Sequence, residues 1–382
     1  MINNQLFDFG RKIYLSFFGI GMFLIIFSTS KFQSANILTN NANKVALFIA
    51  IALVGISILY AKVYSRGEIY FIVTVMIIGT VTSYLAKGLE PVMMSFYIIS
   101  SRRINPYDIL KVLFIVNIML FITNFMLFKA GILLDYQNFS ISKHSFGYNH
   151  PNQMGISVFS VITISMVFFY QKRKSQNIIK YLLLLFQIPL LLLIQQSGSR
   201  GAQIATIITY LILIYLLFTR NREHSILLFL MSISVLIVSL LFSLYTMSDS
   251  VNTVGSFLYN LNQLFTQRVQ LNNYFFDNYG FNFFGQNVSY NLTATVSTNY
   301  AIIDNAYVKL VINYGVIYTV FYLGYIIFLV REIISKKQVI LLMPMLSFMV
   351  YGLVEQGFLQ YWVNFSMLFG GIFYAIRKSQ HE

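Results

Sequence analysis

The sequence predicts an all-α, polytopic membrane protein of about twelve transmembrane helices, and three observations predict it. Of its 382 residues, 57% are hydrophobic and only 10% charged, with a mean hydropathy of +0.70. A soluble domain carries roughly 25% charged residues. The apolar residues fall into runs of about 17 to 23, the length that crosses ~30 Å of hydrocarbon at 1.5 Å per residue. The third observation is the placement of charge. A net charge of +14 would suit a nucleic-acid binder. With both ends inside and the polar segments alternating, however, most basic residues fall on one face, as the positive-inside rule requires. Arg11, Lys12, Lys62, Arg66, Arg102, Arg103, Lys111, Lys172, Arg173, Lys174, Lys180, Arg220, Arg222, Arg331, Lys336, Lys337, Arg377 and Lys378 are assigned to that cytoplasmic face. The charge sets orientation, and no nucleic-acid partner is expected.

Residues 11–28 have the apolar core and basic flanks of a signal peptide, but more spanning runs follow, so 12–28 reads as a first transmembrane helix. Crossings at 44–61 and 69–86 come next. The run 88–101 is short and opens with Glu90-Pro91; Arg102 and Arg103 behind it argue for a full crossing over a re-entrant one. Runs at 107–128, 151–170, 178–194, 201–219 and 224–246 precede a long polar segment, and 304–330, 338–354 and 361–376 close the series. An even count keeps both termini cytoplasmic. There is no internal repeat and no cysteine, and residues 1–382 read as one transmembrane helical domain.

Connections are short except for 246–303, which parity places outside; a long ordered loop usually carries function. In "VNTVGSFLYNLNQLFTQRV", Val254, Leu258, Leu261, Phe265 and Val269 recur at helical spacing. This predicts an amphipathic helix, ended by Arg268, that lies on the bilayer or packs on top of the bundle. The aromatic and asparagine-rich "NNYFFDNYGFNFFGQNVSYN" suits sugar stacking and hydroxyl bonding, or anchoring at the membrane interface.

Polar residues are scarce enough that each needs a reason. Arg200 in "QQSGSRGAQ" opens a membrane helix, where a cation opposes the macrodipole and costs about 0.3–1 kcal/mol. Ser197 or Ser199 suffices as a cap. The arginine makes sense if an anion binds there, held by free backbone N–H groups and the guanidinium, with Gly198 and Gly201 leaving room. A lipid phosphate or an ion pair with Glu355 is the plainer reading. Arg268, followed by Gly280 and Gly285, offers a second guanidinium for the same diphosphate-like group, or snorkels to headgroups.

The stretch "KHSFGYNHPNQMG" (143–155) concentrates polar residues between oily runs. Asn149, His150 and Pro151 read as a helix start, with Asn149 and Asn152 as capping groups. A histidine at the positive end of the dipole favours its neutral form and can accept a proton. Asp304 opens a membrane helix, where Asp caps well. Glu355, at the end of another, needs a polar cavity and a partner. His150, Asp304 and Glu355 are all candidate bases. HExxH, DxD, P-loop and GxGxxG motifs are absent, and His224 and His381 are cytoplasmic, so no metal, ATP or dinucleotide cofactor is indicated.

"FGYNHPNQMG" before one helix, "SGSRGA" opening another, an outer loop with Arg268, then "DNAYVKLVINYGVI" and a late "EQGF...NF" occur in that order. Together, over roughly residues 100 to 370, they resemble the bacterial polysaccharide polymerases of the O-antigen polymerase and ligase superfamily, especially those of capsule and exopolysaccharide clusters. The resemblance implies a GT-C-like membrane fold and a metal-independent, inverting glycosyltransferase of the bacterial cytoplasmic membrane. Undecaprenyl-diphosphate-linked glycan would be the donor, and a lipid-linked repeat unit the acceptor, at the outer leaflet. A flippase and a chain-length regulator of the same pathway are the expected protein partners. It assigns diphosphate binding to Arg200 and Arg268; Asn149, Asn152, Ser199, Gly201, Asn305, Tyr307 and His144 are the candidate substrate contacts. One departure stands out: the ligase branch carries a catalytic histidine in its large outer loop, and 246–303 contains none. The rival expectations are a lipid-linked oligosaccharide flippase or transporter, and an O-antigen-type ligase.

Overall fold

The computed structural model describes residues 2–32, 41–60, 65–135, 143–172, 178–219, 225–265, 267–289 and 302–373. About 79% of the chain is helical, and the described residues form no strand, which fixes the class as all-α. The helices are α1 (Ile2–Ser28), α2 (Ala42–Tyr60), α3 (Arg66–Ala86), α4 (Glu90–Ser101), α5 (Pro106–Lys129) and α6 (Pro151–Lys172). They continue with α7 (Ile179–Ser197), α8 (Arg200–Phe218), α9 (Ser225–Tyr245), α10 (Phe257–Leu264), α11 (Arg268–Tyr279), α12 (Ala306–Ser335) and α13 (Leu342–Tyr351).

Local chemistry sets many boundaries. Ser65 and Glu68 form a reciprocal capping box at α3, and Asn105 with Pro106 starts α5. Gly198 adopts a left-handed conformation (φ 59°), which ends α7 and lets Arg200 open α8 two residues later. Within α12, residues Leu310–Tyr314 run in π register and Gly315 follows at φ 84°.

Among the described residues, eight helices are long and apolar enough to cross a membrane, a multi-pass arrangement suited to a bilayer. The remaining four expected crossings look different. The 44–61 run forms a shorter apolar helix, Lys44–Leu59, and 338–354 another, Val339–Tyr351. The α4 helix has 12 residues, so it spans only ~18 Å. The 361–376 run gives a 3₁₀ segment, Phe365–Phe373, whose Met367, Leu368 and Phe369 are fully buried in protein. Arg102, read above as a charge flanking a crossing, is only 2% exposed and lies 3.5 Å from Glu68.

One core cluster joins all the long helices, from Tyr14 of α1 to Ile372. Helix α6 lies at its centre, with 78% of its span buried, against 17% for α7 and α9, which turn apolar side chains outward. Two small clusters serve the 246–303 segment. Val251, Leu258 and Val269 form one; Met247, Leu271, Phe275, Ile303 and Ile312 lie in the other. The predicted amphipathic face therefore packs on protein, although Val254 is 78% exposed. Nor is it one helix. The chain breaks after α10, with Gln267 at φ 65°, so Arg268 begins α11 instead of ending the preceding helix. Residues 290 and 291 of the aromatic and asparagine-rich stretch lie outside the described residues, as do 292–301, Lys62, Arg173, Lys174, Arg220, Arg222, His224, Arg377, Lys378, His381 and the end of the 361–376 run.

Candidate functional site

The polar stretch ahead of α6 shares one end of the bundle with the starts of α8 and α11 and with the turn after α13. Its loop is built on Asp135. Oδ1 of Asp135 accepts from the backbone N–H of Ser145 at 2.6 Å and of Phe146 at 3.2 Å, and Oδ2 pairs with His144 Nδ1 at 2.8 Å. His144, stacked on Phe146, thus organises the loop. Asn149 is exposed. The cap expected of it is made by the next residue, since Asn152 N–H donates to His150 Nδ1 at 3.1 Å. An Nδ1 that accepts leaves the proton on Nε2, so His150 presents a donor. Burial, then Lys143, Arg268 and Lys31, hold its pKa below the usual histidine value, which keeps the ring neutral.

Arg268 is the hub. Its Nε lies 3.0 Å from Asp304 Oδ2, and its Nη1 donates to Glu355 Oε1 at 2.8 Å and to the Val354 carbonyl at 2.6 Å. Asn152 Nδ2 donates to the same Glu355 Oε1 at 2.6 Å. Both bonds fall on Oε1, and Oε2 accepts none from any described residue. Asp304 is available for this pairing because the capping role expected of it passes to Asn305, whose Oδ1 accepts from Tyr307 and Val308 N–H. Asn305 Nδ2 donates to Ser243 at 2.9 Å. Tyr307 is fully buried, its hydroxyl bonded to the Met349 carbonyl at 2.9 Å, which makes it a core pillar without access to a substrate.

Helix α8 docks its first turn on the same carboxylate. A Cβ on Gly201 would lie 3.1 Å from Glu355 Cγ, and one on Gly155 of α6 would come within 2.6 Å of Ser199 Cβ. The two glycines let α6, α8 and the Glu355 turn approach closely. Ser199 occupies the cap position of α8 but makes no capping bond, and its buried hydroxyl has no hydrogen-bond partner among the described residues. Ser197 Oγ instead accepts from Ser199 N–H at 3.2 Å. Arg200 is exposed beside this turn.

Electrostatics tie the two arginines to one place. The ammonium of Lys143 has its pKa lowered by burial first, then by Arg200 and Arg268 together. Glu355 is pushed up to about 7, by burial and then Asp304, against the opposing pull of Arg268 and Lys143. Two carboxylates face one Arg268, and Glu355 is the one whose proton affinity rises. Next to this group lies a cavity of about 260 Å³, lined by apolar Ile204, Phe242, Leu261, Phe265 and Leu353 and by Arg268, Asp304 and Asn305.

Lys143 was not singled out from the sequence, although it opens the quoted polar stretch. Its role depends on folding 143–150 over the α8 start, where a Cβ on Gly198 would lie 2.9 Å from Lys143 Cγ. No protein-family model, no curated protein and no solved structure matches the chain.

Proposed function

We propose that this protein is a glycosyltransferase that polymerises undecaprenyl-diphosphate-linked repeat units into capsular, exopolysaccharide or O-antigen chains, at the outer leaflet of a bacterial cytoplasmic membrane. The observation that carries the reading is the meeting of Arg268, Asp304, Glu355 and Asn152 beside the Arg200-bearing start of α8. The donor diphosphate is held by Arg200, Lys143 and the backbone N–H groups of the α8 first turn. Arg268 keeps the acidic pair in place. Glu355, with a pKa of about 7, is the general base, acting through Oε2.

The acceptor hydroxyl oxygen attacks the anomeric carbon of the donor in line with the departing phosphate oxygen. The C1–O(phosphate) bond breaks, the hydroxyl proton passes to Glu355, and undecaprenyl diphosphate leaves with the bonding pair. Its developing charge is offset by groups already fixed in position. The apolar cavity beside Arg268 suits the first isoprenoid units of the lipid. His150 Nε2 is a donor toward the bound sugar and not a second base.

Purified protein in nanodiscs, given lipid-linked repeat units, tests this. Polymerisation yields a ladder of lengthening glycan. Movement of the unit across a bilayer without polymer would identify a flippase instead, and transfer to an unrelated acceptor a ligase.

A further inference from the structure

A second buried polar group adjoins the site without touching Arg268. Lys309, on the first turn of α12, is nearly inaccessible, and its Nζ lies 2.7 Å from Glu90 Oε2 at the start of α4. The same ammonium donates to Gln356 Oε1 at 2.8 Å. Gln356 then donates through Nε2 to the Ile303 carbonyl at 2.6 Å. Gln356 follows Glu355 in the chain, and Ile303 precedes Asp304. One side chain therefore bridges the two carboxylate-bearing segments, which are joined again where Ala306 N–H donates to the Gly352 carbonyl at 2.8 Å.

The π register of Leu310–Tyr314 belongs to this arrangement. Positions five apart diverge by roughly 140° on an ordinary α-helix, whereas a π turn bonds residue i to i+5 and brings them together. Tyr314 is five residues after Lys309. Its hydroxyl donates to the same Glu90 Oε2, and its ring lies 5.5 Å from the Lys309 ammonium. An unsupported lysine buried among apolar helices is costly, and this one is given a carboxylate, an amide and a ring face. Its remaining effect falls on Gln356.

We infer that Gln356 and Lys309 are positioning residues: with Glu90 they fix the separation and orientation of Asp304 and Glu355 around Arg268. The inference rests on the glycosyl-transfer reading for its kinetic consequence, but its geometry does not. Glu355 faces Arg268 of α11, Asp304, Lys143, Asn152 of α6, Tyr351 of α13 and the Arg200 end of α8. Loosening the bridge draws Glu355 away from Arg268, the cation that most favours its charged form, so its titration midpoint rises.

The experiment compares Gln356→Leu and Lys309→Met with wild type in nanodiscs. Both variants are expected to lower kcat about tenfold at pH 7 while KM for the lipid-linked unit moves less than twofold. They also raise the midpoint of the protonated-carboxyl infrared band, the band lost in Glu355→Gln. Glu90→Gln removes the counter-charge that seats Lys309 and should lower kcat and raise the band midpoint in the same direction as Lys309→Met. A merely structural role would reduce folded protein without moving the infrared midpoint. A folded Gln356→Leu with wild-type kcat and an unmoved band overturns the inference. Lys309→Gln, which retains a polar group, carries the same test if Gln356→Leu does not fold. The infrared arm needs no turnover, so an inactive wild type sinks the functional reading and still leaves the positioning to be decided.

Discussion

Two of the arginine–carboxylate clusters among the described residues, those around Glu68 and around Arg268, are composed in opposite ways. Around Glu68, two arginines share one acid. Arg103 Nη2 donates to Oε1 at 3.0 Å and Oε2 at 3.1 Å, Arg102 lies 3.5 Å away, and Ser65 N–H donates to Oε2 at 2.9 Å. Both carboxylate oxygens are engaged, and the cluster ties α3 to the turn after α4. Around Arg268, two acids share one arginine, Glu355 Oε2 accepts no hydrogen bond from the described residues, and a cavity lies alongside. An acid whose two oxygens are both held by cations and a backbone N–H is a structural tie. An acid with a shared cation becomes a group that can exchange a proton near neutrality.

Removing the hub separates the two clusters most sharply. Arg268→Met leaves Asp304 and Glu355 facing each other without their cation, and polymer formation is expected to fall by about 10²–10³-fold. Thermal unfolding should show a loss as well, because an uncompensated buried charge costs about 3–5 kcal/mol. Glu68→Gln strands the buried Arg102 and should destabilise by a similar amount. Here, however, the rate per folded molecule should match wild type, as measured by active-site-normalised turnover. If Glu68→Gln slowed turnover while the fold held, the division between the clusters would be lost.

The pH dependence sharpens the comparison further. Glu355 must be unprotonated to act as base, so kcat/KM should decline below about pH 7, one decade per pH unit. The corresponding stability effect has the opposite sense. A carboxyl whose folded pKa exceeds its unfolded value favours the folded state while protonated, so that contribution is fully present below the unfolded value near 4.5 and is lost as pH rises toward 7. Asn152→Leu removes a donor to the charged carboxylate. Its acid limb should shift upward by up to a pH unit, with KM little changed, in a pH–rate profile. The smallest effect expected is from Arg200→Ala. Arg200 is exposed, its loss should leave unfolding unchanged, and KM for the lipid diphosphate should rise about tenfold, with a steeper salt dependence lost.

Much of this was legible in the sequence because a membrane chain has few polar residues. Arg200, Arg268 and Glu355 stood out since each lacked a sufficient local reason, whereas Asp304 had one as a helix cap, and the structure brings Arg268, Asp304, Glu355 and the Arg200 turn to one place. What local pattern could not carry was pairing. Glu90 and Lys309 are 219 residues apart, and Asn152 and Glu355 203. Hydropathy measures apolar length without its surroundings, so it does not show that residues 365–372 of the 361–376 run are buried in protein. A left-handed Gln267 is equally invisible to an apolar repeat that runs straight through it from Leu258 to Val269. His150 was placed correctly at a helix start, but the acceptor role of its Nδ1 depends on one backbone bond.

The most direct measurement is glycan extension by wild type and Glu355→Gln, each in nanodiscs at pH 7.5 with purified undecaprenyl-diphosphate-linked repeat units. Wild type should build a ladder, and the variant, folded and still able to bind the lipid, should add units at least 10²-fold more slowly. Equal ladders from both proteins, or none from wild type, would contradict the account.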